Sequence, residues 1–180
     1  MRLRASALWG YAPRMRVIPT RGSVLPSKEA GGASRQRSGP AVRRSVTALA
    51  AVPLFDGFSK RHLRRLAAEA DVVTFEPGRA IVEEGGPGEA MYVVLSGGAR
   101  VTRGGRTVAR LVPGDFFGEL SALDGGPRTA SIVADTPMEL LRLFRHTLRR
   151  VVEQEPALAM GLLEGLARRL RQVRPGTPVV

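Results

Sequence analysis

The sequence predicts a mainly β domain, a sandwich or barrel with helices at its two ends. After Asp71, turn signals recur at Pro77-Gly78, Gly85-Gly86-Pro87-Gly88, Gly97-Gly98, Gly104-Gly105, Pro113-Gly114, Gly125-Gly126-Pro127 and Thr136-Pro137. The segments between them are short and β-prone: Val72 to Glu76, Ala80 to Glu84, Ala90 to Ser96, Ala99 to Arg103, Thr107 to Val112, Thr129 to Ala134 and Met138 to Phe144. Short strands broken by turns roughly every eight to twelve residues are the pattern of closed or stacked sheets. Helical spacing of apolar residues, in contrast, occurs before Asp71 and after Phe144.

Residues 1–45 lack sustained apolar periodicity and are interrupted by Pro13, Pro19, Pro26, Gly31, Gly32, Gly39 and Pro40. They carry ten Lys or Arg against one acid, Glu29. Few apolar residues with one dominant charge sign predict a disordered basic segment. Two alternatives stand beside this: an Arg- and Ser-rich transit peptide, and a translation start near Met15 or Val46. No apolar run follows the first arginines that would make a secretory signal. Val46 to Phe58 leads into the domain, residues 46–174, with Leu54, Phe55 and Phe58 as apolar anchors.

Ser59 is a candidate N-cap for a helix reaching about Ala70, with Leu63, Leu66, Ala67 and Ala70 on its inner stripe. His62, Arg61, Arg64 and Arg65 flank that stripe as a solvated face. Among the strands, Val101-Thr102-Arg103 and Thr129 to Val133 alternate clearly. At the far end, His146 or Thr147 opens a helix to about Glu155, with Leu148, Val151 and Val152 inward. Pro156 suits the first position of another, along which Leu158, Leu162, Leu163, Leu166 and Leu170 share a side. Arg168, Arg169 and Arg171 near its end complement its dipole. Residues 175–180 read as a disordered tail.

Bulk composition removes several function classes. The chain has 180 residues and no cysteine, which excludes disulfides, thiolate metal sites and cysteine nucleophiles. His62 and His146 are its only histidines, too few for the metal cluster of a cupin-type barrel enzyme. No apolar run approaches the roughly 18 residues of a membrane helix. The net charge of +12 divides into +9 for residues 1–45 and +3 for the remainder, so the domain itself is nearly balanced. No nucleophile elbow, metal motif or Walker loop is present.

The chemically informative stretch runs from Pro113 to Asp135, PGDFFGELSALDGGPRTASIVAD. It places Glu119 inside a short helical turn, Gly118 to Leu123, and Arg128 just ahead of an alternating strand. An ionised carboxylate only accepts hydrogen bonds, which suits sugar hydroxyls. A guanidinium offers a planar fork to a phosphate, and such charge-assisted bonds are strong. Considered alone, a Glu and an Arg nine apart are most often an exposed ion pair worth about 0–1 kcal/mol.

The string FGELSAL, then PRTA, then an alternating strand resembles the phosphate-binding cassette of cyclic nucleotide-binding domains, as in catabolite-activator-type regulators, protein kinase A regulatory subunits and cyclic nucleotide-gated channels. The resemblance covers about Val52 to Arg171, and the spacing from Glu119 to Arg128 is similar to the kinase-subunit form. It implies an eight-stranded antiparallel jelly-roll barrel with one helix before it and two after it. Phe117 would pack inside the barrel, and Leu120 and Leu123 would hold the inner face of the cassette turn.

The same resemblance implies the ligand and its contacts. Glu119 would accept from a ribose 2′-hydroxyl. Arg128, with backbone N–H groups of Gly118, Leu120 and Thr129, would hold the cyclic phosphate. Ser121 is a further candidate contact, and Gly118 would let ligand approach the backbone. The expected ligand is cyclic AMP rather than cyclic GMP, but Thr129 sits where a hydroxyl contacts the guanine amino group in some members, so base preference stays open. The base cap would come from Leu166 or Leu170.

The expected protein is therefore a non-enzymatic, cytoplasmic bacterial sensor module without a cofactor beyond its ligand. It would have an unknown downstream protein partner, a possible homodimer through the last helix, no membrane association and no direct DNA binding, since no recognition helix follows Gln172. A ligand-free interaction scaffold and a truncated catabolite-activator-type regulator are the alternatives.

Overall fold

The computed structural model describes residues 39–172. Most of the basic segment and the expected disordered tail lie outside the described residues. Among the described residues there are eight antiparallel strands: β1 (Asp71–Phe75), β2 (Ala80–Val82), β3 (Ala90–Ser96), β4 (Ala99–Arg103), β5 (Arg106–Leu111), β6 (Phe116–Phe117), β7 (Ser131–Ala134) and β8 (Met138–Phe144). They form two four-stranded sheets, ordered β1-β8-β3-β6 and β2-β7-β4-β5. The jelly-roll class is as expected, but the strands do not close into a barrel. β6 is two residues long and β5 ends its own sheet, so no ladder joins the two sheets among the described residues.

Two apolar clusters explain the strand sequences. Between the sheets lie Val73, Tyr92, Val94, Val101, Phe117, Ile132 and Leu140. On the outer face of the first sheet, Met91, Val93, Leu141 and Leu143 pack with helical Leu49, Leu63, Leu66, Leu148 and Val151. β3 is thus buried on both faces from Ala90 to Val94, which is why it reads as a continuous apolar run. β4 has solvent on one side, so Ala99 and Val101 point in while Arg100 does not.

The helices are α1 (Gly39–Ala50), α2 (Lys60–Glu69), α3 (Glu119–Asp124), α4 (Arg145–Gln154) and α5 (Ala157–Gln172), with a 3₁₀ turn at Pro53–Phe55. Among the described residues two helices therefore precede the sheets, where one was expected. The boundary drawn at residues 45 and 46 falls inside α1, whose buried face holds Ser45 and Leu49, with Val42 and Val46 beside them. Proline in a first helical turn costs little because its missing N–H would have no partner there.

Ser59 does cap α2: its Oγ accepts from the His62 amide at 3.3 Å, and His62 Nδ1 accepts from the Ser59 amide. The imidazole thus takes the place usually held by Glu or Gln in a capping box. In α5, Leu158 and Leu162 are buried and Leu166 is half-buried, but Leu163 is 58% exposed. One residue advances a helix by about 100°, which turns Leu163 away from the seam of its neighbours. The Leu170 side chain lies outside the described residues. Arg168 ties α5 to the 3₁₀ turn through the Pro53 carbonyl at 3.4 Å and Asp56 at 3.3 Å.

Candidate ligand site

The site is built where β6 gives way to α3. Phe117 is fully buried and stacks on Tyr92, ring centres 5.0 Å apart, which fixes the point at which the chain leaves the sheet. Gly118 follows in the left-handed region, φ 76°, and caps α3. A Cβ there would lie 2.3 Å from Arg128 Nη1 and 3.1 Å from the Ala90 carbonyl. Glycine is therefore demanded by backbone conformation and by the arginine laid over it, beyond any approach of ligand. The helix runs to Asp124, one residue past the expected turn, with the Ala122 amide donating to the Gly118 carbonyl at 3.1 Å.

Glu119 opens α3 with its side chain fully buried. Arg128 is 6% exposed and donates from Nη1 to the Gly118 carbonyl at 3.1 Å and from Nη2 to the Ala90 carbonyl at 2.7 Å. Its Nε, also buried, makes no hydrogen bond. Burial holds the Arg128 pKa below the ordinary arginine value, while Tyr92, Glu119 and Glu89 pull it back. A guanidinium stays charged regardless. The sequence-predicted acid and base are thus brought to one place.

Gly118, Leu120, Ser121, Arg128 and Thr129 line a shallow recess open to solvent, together with Val82, Phe117, Ala130 and Ile132. Leu120 is half-buried at its wall, so the inner face of α3 is formed instead by Ala122 and Leu123. Ser121 is buried with its Oγ donating to the Pro127 carbonyl at 3.1 Å, which closes the loop that carries Arg128. Thr129 is exposed at the rim. None of the residues lining the recess comes from α5, and Leu166 packs on the outer core rather than over the recess.

One contributor was read from the sequence only as a tight turn. The Gly85 amide donates to the Arg128 carbonyl at 2.8 Å, and the Arg128 amide donates to the Gly86 carbonyl at 2.9 Å. The turn between β2 and β3 thereby pins the backbone of the key arginine. Gly88 lies so close to α3 that a Cβ would stand 2.0 Å from the Ser121 Cβ. The run Gly-Gly-Pro-Gly is the signal that could have pointed there, because so many glycines exceed what one turn needs.

Chemically, the recess offers a buried guanidinium with donor capacity remaining and apolar walls from Val82, Leu120 and Ile132. The acceptor-only carboxylate of Glu119 is fully buried beside that guanidinium and is not itself part of the lining. That combination fits a small molecule with a flat apolar ring, a hydroxyl and an anionic group. Among the described residues no cluster of His, Asp and Glu is arranged to hold a metal ion, and no helix is long and apolar enough to cross a membrane.

Comparison with known proteins agrees with this geometry. The family described as "Cyclic nucleotide-binding domain" matches residues 72–155. The Cyclic AMP receptor protein of Thermus thermophilus is 40% identical over 125 residues, 67% of this chain. The chain spans 58% of that relative's length. The N-terminal domain of a transcriptional regulator from Streptomyces coelicolor A3(2) superposes with TM-score 0.59 at 36% identity, covering 67% of this chain and 87% of that one. A cyclic nucleotide-binding domain from Methylobacillus flagellatus superposes with TM-score 0.62 at 28% identity, covering 73% and 79%. On the fold, the recess and these likenesses together, the chain belongs to the cyclic nucleotide-binding domain family.

Proposed function

We propose that this domain is a regulatory sensor for a 3′,5′-cyclic nucleotide, with cyclic AMP as the preferred ligand. The observation that carries the reading is Arg128: a buried guanidinium lining the recess, pinned at its backbone, with an Nε–H that no protein group satisfies. A buried donor without a partner is costly, and a phosphate oxygen would relieve it. Glu119 would accept from the ribose 2′-hydroxyl, and Val82, Leu120 and Ile132 would contact the base. Similarity to the Thermus receptor favours cyclic AMP; the Thr129 hydroxyl at the rim is the reason to test cyclic GMP beside it. Gly118, Leu120 and Thr129 would add backbone N–H donors to the phosphate. Ser121 supports this loop from within, since its hydroxyl is committed to Pro127.

The role is binding rather than catalysis: the recess supplies recognition groups and no nucleophile–base pair. A response would travel through α4 and α5, because ligand acts as a switch only where it favours one arrangement over another. Met160 and Leu163, both exposed on α5, favour self-association along that helix. Isothermal titration of cyclic AMP and cyclic GMP into wild type and Arg128→Ala tests the assignment. The expected loss is about 2–5 kcal/mol, because the phosphate would be buried without its charge partner. Equal affinity of the two proteins would refute the phosphate assignment, and no binding to either would leave the scaffold reading.

A further inference from the structure

The charge layout around the recess raises a question of approach. Glu119 is fully buried beside Arg128, and Glu89 also acts electrostatically on that arginine. Opposite charges a few ångströms apart cancel at a distance, so the interior of the recess exerts little pull on an anion still in solvent. A cation at the mouth would have to supply it.

One is in place. Arg103, at the end of β4, is exposed and donates from Nε to the Thr129 carbonyl at 2.9 Å, so its guanidinium is moored one residue from Arg128. Arg106 lies across the ladder from it. Glu84 also reaches this hairpin tip: its Oε2 accepts from the Gly104 amide at 2.8 Å. Farther along the hairpin, Arg100 and Arg110 are both engaged by Asp135.

We propose that Arg103 is an electrostatic steering residue: its fixed charge at the rim draws the anionic ligand toward Arg128 and sets the association rate. The inference rests on the cyclic-nucleotide reading. Steering of this kind raises on-rates, acts through charge rather than through one hydrogen bond, and fades as salt shortens the Debye length.

Stopped-flow binding of cyclic AMP and cyclic GMP, each carrying a fluorophore at C8, tests it on wild type, Arg103→Gln and Arg103→Lys over an ionic-strength series. Arg103→Gln should slow association about threefold or more at low salt and converge with wild type at high salt. Dissociation should be unchanged, and Arg103→Lys should match wild type because charge alone is required. Equal association rates for wild type and Arg103→Gln at low salt would overturn the proposal. So would a faster dissociation that Arg103→Lys fails to restore, which would make the Thr129 hydrogen bond the operative feature. Absence of binding to wild type would overturn the nucleotide reading itself, a result distinct from either of these.

Discussion

At Gly118 a left-handed backbone and the guanidinium of Arg128 compete for the space a side chain would fill. Gly118→Ala should therefore cost about 1–2 kcal/mol in a urea titration from the backbone term alone. It should also weaken ligand binding, because Arg128 must shift to admit the methyl group; unchanged affinity would show that the arginine's present placement is immaterial. Glu119, Arg128 and Gly118 were legible in the sequence because their chemistry lies in residue type and spacing along one short motif. The grip of Gly85 and Gly86 on Arg128, and of Arg103 on Thr129, was not. These are hydrogen bonds between residues 42 or more, and 26, positions apart, and nothing local to either residue marks them.

Among the elements, the long strands were read correctly because pattern and burial agree. β3, β4 and β8 have the expected limits. β7 begins at Ser131 rather than Thr129, since residues 129 and 130 bend around the recess. Phe117 was expected to pack inside the barrel but no strand was read at Phe116–Phe117, yet the two pair with Tyr92 and Val93 to form the eighth strand. Phe117→Ala should destabilise the fold by about 3–5 kcal/mol, the usual range for deleting a buried aromatic ring. A loss below 1 kcal/mol on thermal or chemical unfolding would mean that this ring does not anchor the cassette. The helix α1 was missed although Val42, Val46 and Leu49 have helical spacing, because Gly39 and Pro40 were weighed as breakers. Such residues break a helix in its interior and start one at its first turn. On α5, replacing Met160 and Leu163 with Glu should convert any self-associated species to monomer in sedimentation analysis while preserving the unfolding midpoint. Persistence of the larger species would place the interface elsewhere.

For the whole molecule, composition was informative mainly by exclusion. The positive charge is concentrated in residues 1–45, and the remaining 135 residues carry only +3. A near-neutral domain leaves recognition of an anion to individually placed groups, the part proposed for Arg128 and Arg103. The two-sheet architecture serves that placement. The first sheet, backed by α2 and α4, carries Phe117 and the start of α3; the second carries the strand that follows Arg128 and the hairpin that bears Arg103. The site is therefore convergent, with its acid and its base supplied from opposite ends of one loop that spans the two sheets. The most direct test of that convergence pairs each group with the ligand atom it is assigned. Calorimetric titration of cyclic AMP and its 2′-deoxy analogue into wild type and Glu119→Gln isolates the carboxylate–hydroxyl contact as a thermodynamic cycle. Wild type should lose about 1.5–3 kcal/mol on removal of the hydroxyl, the usual worth of a hydrogen bond to a charged group, and Glu119→Gln much less. An equal loss in both proteins would contradict the account, because Glu119 would then not be the group that reads the sugar.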